Sequence, residues 1–345
     1  MKRSKTRALA LILVIVLTMM AAGCSPSAPT TPTTPTTPTT PSAPTEQTYT
    51  MKFGHVTTIK NPTHLGSLNL VEELEAAAPG KWSIDIYSDS QLGGAKEMTE
   101  AVQMGSLEIS APASSFVSNF APSVGVWDMP FLFRSEEHVD KVADGEIGKA
   151  IGEELASANI KFLNWWEVGF RCLANAKRPI NSVDDIAGLR IRVMSNEIHQ
   201  ALFSALGADP VPMSLADAYV ANQQGTIDGQ DNPLSGLYDI SIFEICDYIS
   251  VTKHVYTPQA LIMSMKAWNS MTEADQKIFV ECADKATQFQ RAELRSQDAI
   301  AAQNLESKGC ELTYPDQAGF ASKMEVVYSQ YPQFADTIKK IQEIQ

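Results

Sequence analysis

Apolar and polar residues alternate along several short segments of the chain. Tyr49, Met51 and Phe53 are each followed by a polar or small residue. A period of two is typical of a β-strand with one buried face. Similar alternations and short apolar runs predict further strands at 82–86, 107–111, 161–166 and 189–193.

Helical patterns lie between these strands. Residues 64–78 form one such pattern, which ends at Pro79-Gly80, and residues 95–104 form another. Strands that alternate with helices predict an α/β fold with largely parallel sheets.

Three predicted helix starts carry a hydroxyl residue followed three residues later by Asp, namely Ser182, Ser214 and Thr272. This spacing resembles the capping box, with Asp in place of the preferred Glu. After Thr272 the helical pattern continues to residue 308 without Pro or Gly. Such a helix would be about 50 Å long, so we expect it to connect two lobes.

The first 23 residues have the layout of a secretory signal. Four basic residues within positions 2–7 precede an unbroken apolar run at 8–17, and small residues follow up to Gly23. Because Cys24 comes directly after them, the segment resembles a bacterial lipoprotein signal, in which that Cys is lipidated. Ala21 departs from the usual Leu, and ordinary signal cleavage is the alternative. Both predict a protein that works outside the cytoplasm.

Residues 24–48 predict a lipidated Cys and a Pro/Thr-rich stalk. Prolines recur at every third position from Pro26 to Pro44, and polyproline II has three residues per turn. About 24 residues of that conformation could reach about 70 Å. We expect this segment to separate a membrane anchor from the working domain.

Charge excludes one class of partner. The chain has 27 Lys+Arg against 40 Asp+Glu, a formal net charge of −13. Removal of the four basic residues of the leader takes that charge to −17. A nucleic-acid partner would require a basic face, so none is expected.

Catalytic and metal-binding motifs are missing from the sequence. The five histidines have no metal-binding helical spacing, and no Cys pair has zinc-ligand spacing. No Gly-x-Ser-x-Gly elbow, phosphate-binding loop or dinucleotide fingerprint occurs. We therefore expect no enzyme activity, no cofactor and no metal. A surface hydrolase on a stalk is the weakest of the alternatives.

Four cysteines remain beyond Cys24: Cys172, Cys246, Cys282 and Cys310. Cys282 and Cys310 are separated mostly by the predicted long helix, which places them about 35–40 Å apart, too far for a disulfide. We interpret all four as small buried apolar residues.

Two arginines are candidate ligand contacts. Arg192 lies in the predicted strand at 189–193, which opens toward a helix, and Arg171 follows another apolar strand. Ligand sites of α/β folds gather at the carboxyl ends of strands, where Arg can bind a carboxylate through two parallel hydrogen bonds. The alternative for each is a structural ion pair with one of the acids.

Around these arginines the sequence resembles the solute-binding proteins of tripartite ATP-independent periplasmic (TRAP) transporters, of the C4-dicarboxylate-binding type. The resemblance covers essentially residues 49–345. Its most specific stretches are Gly169-Phe170-Arg171, Asp185-Ile186-Ala187-Gly188-Leu189-Arg190-Ile191-Arg192-Val193, Pro210-Val211-Pro212-Met213 and Asp228-Gly229-Gln230-Asp231-Asn232-Pro233.

The resemblance implies a two-lobed, periplasmic-binding-protein-like (Venus flytrap) α/β fold with a long bridging helix. The lobes would interleave, roughly as 49–168 with 256–295 and as 169–255 with 296–345. Ligand would lie between them. The residues that the family pattern assigns to the ligand are Arg192 for the carboxylate, Arg171 and Asn232 as further contacts, and Met213, Ser114 and Ser115 on the cleft wall.

Three departures concern the cleft. Met194 replaces the usual Pro after Arg-Val, Asp231 replaces Glu before Asn232, and Ala113 stands where several relatives have a polar acid. The last change leaves the distal end of the ligand open among C4-dicarboxylates, sugar acids and small hydroxy, keto or aromatic acids. Trp127, Trp165, Trp166 and Phe170 could line a wall or pack in the core.

The implied function is capture of a small organic carboxylate by a monomeric lipoprotein and its delivery to the TRAP membrane subunits. The same cleft could instead serve a sensor for a membrane receptor kinase.

Overall fold

The computed structural model describes residues 47–345. The predicted leader (1–23), the lipidation site Cys24 and nearly all of the stalk (24–48) lie outside the described residues. Within the described range, no helix combines the length and the apolar character that a membrane span requires.

Eleven strands form two sheets in this part of the chain. The strands are β1 (Tyr49–Gly54), β2 (Trp82–Tyr87), β3 (Ile109–Ser110), β4 (Ile160–Phe170), β5 (Cys172–Asn175), β6 (Arg190–Val193), β7 (Asp209–Pro212), β8 (Gly229–Asn232), β9 (Tyr248–Ser250), β10 (Tyr256–Ser264) and β11 (Glu311–Thr313).

The sheets are surrounded by helices. The α-helices are α1 (Pro62–Ala77), α2 (Ala95–Met104), α3 (Ser114–Val117), α4 (Glu136–Ala143), α5 (Glu146–Glu153), α6 (Glu197–Ala205), α7 (Leu215–Gln223), α8 (Leu234–Asp239), α9 (Met265–Ser270), α10 (Glu273–Ser307), α11 (Gln317–Ala321), α12 (Glu325–Tyr328) and α13 (Ala335–Glu343).

The first sheet has the order β2-β1-β3-β10-β4, and the second has the order β11-β9-β5-β8-β6-β7. We refer to the parts built on them as the first and second lobes. The chain passes from the first sheet to the second between β4 and β5, and returns between β9 and β10. The α/β, two-lobed prediction is confirmed. The exact lobe boundaries stay a prediction.

The expectation of largely parallel sheets was too simple. Five strand pairs are parallel, but β4, β5 and β10 pair with their neighbours antiparallel. The reason is the repeated crossing between lobes, because a strand that leaves one sheet for the other runs against the strand that returns.

The sequence located most elements, with shifts at their ends. Helix α1 begins two residues earlier than predicted because Asn61 caps it, accepting a hydrogen bond from the backbone N–H of Thr63, and Pro62 fits the first turn. The capping residues Ser214 and Thr272 are confirmed. Ser182 has both capping-box bonds but opens only a 3₁₀ turn, Val183–Ile186.

Helix α10 is the predicted long helix. It has 35 residues and packs on α1 and β4 of the first lobe and on α8 of the second. Phe279 and Ala283 belong to one core cluster, whereas Ala301 and Leu305 belong to another. The helix therefore bridges the two lobes.

Aromatic and sulfur side chains complete the cores. Trp127, Trp165 and Trp166 are buried in them and Phe170 packs against one, so core packing is their role. All four cysteines of the described residues are buried and unpaired, as the sequence predicted.

A candidate ligand-binding cleft

A cavity of about 310 Å³ opens between residues of the two lobes. This volume is at the lower end of the range for small-molecule sites. The polar and charged side chains that line it are Thr57, Thr58, Asn61, Thr63, Asp89, Ser90, Glu167, Arg171, Arg192, Tyr219, Asn232, Ser235, Asp239 and Gln259.

Arg192 lines this cavity from strand β6. Ile191 and Val193, its neighbours in the strand, are buried in the core, so the alternation of the strand places Arg192 on the other face. Its side chain is only 2 % exposed. Nε and Nη2 donate to the backbone carbonyl of Met213 at 3.0 and 2.9 Å.

Arg192 has no ion-pair partner in the described part of the chain. Among residues 47–345 no carboxylate lies within ion-pair distance of its guanidinium. Burial lowers the pKa of Arg192 to about 10, and the charges of Asp231 and Arg171 act on that pKa in opposite directions. The group remains protonated at neutral pH. A buried cation without an anion is costly, so the cavity favours an anionic ligand here.

Arg171 also lines the cavity, but it has a protein partner. Its Nε donates to Asp231 Oδ2 at 2.5 Å and its Nη2 to Asp231 Oδ1 at 3.0 Å. Although burial raises the pKa of Asp231, Arg171 and a hydrogen bond from His254 hold it well below its ordinary value. The structural ion pair that the sequence left open for Arg171 is therefore present.

Asn232 lies at the end of β8 and lines the cavity. Its Oδ1 accepts from Arg171 Nη1 at 3.4 Å, which leaves the amide Nδ2 as a donor. Gly236 lies against this amide, because a Cβ at that position would come within 2.9 Å of Nδ2. The arginine thus orients the amide.

The remaining predicted residues lie outside the lining. Ser114 and Ser115 are fully buried and donate to Asp128 Oδ1 at 2.9 and 2.8 Å. Ala113 and Phe116 form the wall at this point. The two serines therefore lie behind the wall, and their hydroxyls donate to the buried carboxylate of Asp128.

Met213 likewise contributes no side chain to the wall. Its part in the site is the backbone carbonyl that orients Arg192. The family pattern predicts Met213 on the cleft wall, and the fold places its backbone carbonyl, not its side chain, next to Arg192.

Sequence reasoning missed the first-lobe wall of the cavity. Thr58 Oγ1 donates to Asp239 Oδ1 at 2.6 Å, and Asn61 Nδ2 donates to Asp239 Oδ2 at 3.3 Å. These bonds join the first lobe to α8 of the second across the cavity. Burial raises the pKa of Asp239, and nearby Asp89 raises it further. The sole sequence signal was Asn61 before Pro62, which indicates a helix start and not a ligand site.

Glu167 lines the cavity from β4, and Arg295 of the bridging helix forms an ion pair with it. Arg295 donates from Nη2 and Nε to the two oxygens of Glu167, at 2.5 and 3.1 Å. Burial raises the pKa of Glu167, although Arg295 opposes the shift. This pair ties α10 to the cavity wall.

Histidine side chains have local partners. His55 and His64 share a hydrogen bond of 3.0 Å, and burial lowers the pKa of His55 to about 4. Over residues 47–345 no group of three or more His, Cys, Asp or Glu could hold a metal ion.

Comparison with known proteins agrees with this architecture. Residues 53–333 match the family model for bacterial extracellular solute-binding proteins, family 7. A solute-binding protein of Verminephrobacter eiseniae is 31% identical over 280 residues, which cover 80% of this chain and 83% of the relative.

Solved structures are similar over the same range. A TRAP periplasmic solute-binding protein of a Polaromonas species, bound to D-erythronate, has a TM-score of 0.84 and 32% identity, covering 86% of this chain and 99% of that one. One from Sulfurospirillum deleyianum, with bound succinate, has a TM-score of 0.82 and 28% identity, covering 87% and 100%. This chain therefore belongs to the solute-binding proteins of TRAP transporters, which are transport proteins and not enzymes.

Proposed function

We propose that this protein captures a small organic carboxylate between its lobes and delivers it to a TRAP membrane transporter. One observation carries the proposal: Arg192 is buried, lines the cavity and has no carboxylate partner among the residues described. A ligand carboxylate would supply that partner through the two parallel hydrogen bonds that a guanidinium forms.

The other residues of the second lobe would assist Arg192. The Met213 carbonyl holds the guanidinium in place. The amide of Asn232, oriented by Arg171, offers a donor to a ligand oxygen. Arg171 itself supports the site mainly by orienting Asn232 and contributes positive potential, since Asp231 already occupies its Nε and Nη2 donors.

Closure follows from the placement of the site. Ligand that docks on Arg192 in an open form gains contacts with the first lobe only when the lobes approach, so its affinity is higher for the closed form. The bonds from Thr58 and Asn61 to Asp239 would then hold the cavity shut. Solutes without a carboxylate leave a buried Arg unpaired and are rejected.

Location and anchoring are part of the proposal. Family members are described as extracellular solute-binding proteins, which supports work outside the cytoplasm. We propose that residues 1–23 are removed, that Cys24 carries lipid and that 25–48 form the stalk. Mass spectrometry of the mature protein tests this, since lipidation predicts an acylated N-terminal Cys24.

Calorimetric titration with a panel of organic acids tests the binding role. For a ligand of the wild-type protein, Arg192→Ala should weaken binding at least about tenfold, or about 1.4 kcal/mol. Arg192→Lys should retain part of the affinity, because it keeps the positive charge but loses the two parallel hydrogen bonds of the guanidinium.

Arg190→Ala is the matched control. Arg190 lies in the same strand but pairs with Asp228 at 2.7 Å and does not line the cavity. Its loss should leave affinity unchanged. Equal affinities of the Arg192→Ala variant and the wild type, with the fold intact by circular dichroism, would contradict the proposal.

A further inference from the structure

Charge is unevenly distributed along the cavity. Five charged side chains line it, and two of them are matched by residues behind the wall: Glu167 by Arg295, and Arg171 by Asp231. The three that remain are Arg192, Asp89 and Asp239. Within the described part of the chain, neither Asp89 nor Asp239 lies within ion-pair distance of a Lys or Arg.

The carboxylates of Asp89 and Asp239 accept hydrogen bonds from neutral side chains and not from Arg192. Asp89 belongs to the loop after β2 in the first lobe, and Asp239 ends α8 and bonds to Thr58 of that lobe. Arg192 lies on β6 of the second lobe and bonds to the Met213 carbonyl, and among the described residues neither carboxylate lies within ion-pair distance of it. The cavity is therefore cationic in one part and anionic in another.

The loop that carries Asp89 is held in an unusual conformation. Asp89 and Ser90 have φ angles of 52° and 59°, in the left-handed region that non-glycine residues rarely adopt. Ser88 Oγ donates to Asp89 Oδ2 at 2.6 Å and fixes the carboxylate. Strain of this kind is retained where the surrounding structure requires a defined position.

Neutral hydrogen-bonding groups surround the anionic part. Thr63 Oγ1 donates to Gln259 Oε1 at 2.9 Å, which leaves the Gln259 amide nitrogen as a donor. The other neutral polar side chains of the lining are Thr57, Thr58, Asn61, Ser90, Tyr219, Asn232 and Ser235. Hydroxyls and amides of this kind pair with ligand hydroxyls, which both donate and accept.

We propose that the ligand carries a single carboxylate, bound at Arg192, and a hydroxylated, uncharged tail directed to Asp89 and Asp239, and that dicarboxylates are excluded. This rests on the proposed function. A tail hydroxyl can donate to either carboxylate. A second ligand carboxylate there would lie beside two like charges, and among the described residues neither Asp89 nor Asp239 has a Lys or Arg within ion-pair distance to offset the repulsion.

Organic acids of equal chain length but different tails test which tail the cavity prefers. The four-carbon set is erythronate, succinate, butyrate and 4-aminobutyrate, and the six-carbon set is gluconate, adipate, hexanoate and 6-aminohexanoate. Titration calorimetry at pH 7.5 and constant ionic strength should show the hydroxylated acid binding at least about tenfold more tightly than the dicarboxylate of the same length.

Variants separate charge from shape. The double variant Asp89→Asn with Asp239→Asn keeps hydrogen-bonding side chains of the same size but removes both charges. It should reduce the preference for the hydroxylated acid over the dicarboxylate at least about threefold. Asp85→Asn, an exposed residue of β2 outside the cavity, is the control and should leave the ratio unchanged.

The outcomes distinguish the two proposals. A dicarboxylate or an amino acid that binds more tightly than the hydroxylated acid, and loses affinity in Arg192→Ala, would overturn the tail assignment and leave the proposed function intact. Binding that does not depend on Arg192, or binding of no probe, would contradict both.

Discussion

Arg171 and Arg192 have the same side chain, similar burial and adjacent positions on the cavity wall, yet different surroundings. The Asp231 carboxylate accepts two hydrogen bonds from Arg171, whereas the sole hydrogen-bond acceptor of Arg192 among residues 47–345 is the Met213 carbonyl. Each neighbour is distant in sequence from its arginine. Whether an arginine has a structural ion pair or is left as a candidate ligand contact is therefore decided by its neighbours and not by the residue type.

His55 is a residue whose ionisation opposes folding. It is 1 % exposed, bonded to Thr57 and His64, and burial lowers its pKa to about 4. The unfolded chain, with an ordinary pKa of about 6.5, binds the proton first as pH falls. Stability should therefore decrease from pH 7 to pH 5, with about 2 kcal/mol from this residue.

Urea denaturation at the two pH values measures this effect. In His55→Gln the loss of unfolding free energy between pH 7 and pH 5 should be smaller than in the wild type, because one buried neutral histidine has been removed. An identical pH dependence in both proteins would show that His55 is not responsible.

At the scale of elements, the contact between α1 and α10 positions the cavity. Asn61, which lines the cavity, is the N-cap of α1, and Glu167 in the wall is held by Arg295 of α10. The two helices approach closely at Gly66. This packing fixes the position of the first-lobe wall of the cavity relative to the bridging helix.

Gly66→Ala should destabilise the protein by about 1–3 kcal/mol. Ala is normally the better helix former by about 1 kcal/mol, but a Cβ at Gly66 would lie 2.9 Å from Gln290 Cβ and 3.2 Å from the Trp166 ring. Those atoms belong to buried, packed residues, so the steric cost outweighs the helix propensity.

Gly319→Ala is the matched control for this substitution. It lies in helix α11, and its nearest neighbour to a new Cβ is Val183 at 4.0 Å. Thermal unfolding should show a lower Tm for Gly66→Ala and an unchanged or higher Tm for Gly319→Ala. A Gly66→Ala protein as stable as the wild type would mean that α1 and α10 can separate without cost.

At the scale of the whole molecule, the net negative charge of the protein opposes the approach of the proposed anionic ligand. The full chain has a net charge of −13, and loss of the four basic residues of the leader would take it to −17. An anion that approaches such a protein is repelled over distances comparable to the Debye length. Capture must rest on the local cation Arg192 inside the cavity.

The association rate of an anionic ligand should therefore increase with ionic strength, by about twofold between 10 and 150 mM salt, because salt screens the repulsion. Stopped-flow fluorescence measures this rate. A neutral analogue is no control, since it does not bind. The matched control is the dissociation rate of the same complex, which should respond less because the ion pair is buried. An association rate that falls with salt would mean that the local field dominates the approach.

The sequence by itself determined the elements and the family. Periodicity located strands such as β1 and β2 and the bridging helix α10, because these depend on patterns within a few residues. Motifs around Arg171, Arg192 and Asn232 identified the second-lobe wall, because those residues lie in contiguous stretches of the chain.

The tertiary structure alone decided which side chains meet in the cavity. It paired Arg171 with Asp231, moved Ser114 and Ser115 behind the wall, and brought Asp89 and Asp239 together from positions 150 residues apart. It also made the sheets mixed, since β4 and β10 carry the chain between the lobes in opposite directions. Local periodicity carries no information about such long-range approaches, which are fixed only when both lobes pack against the same bridging helix.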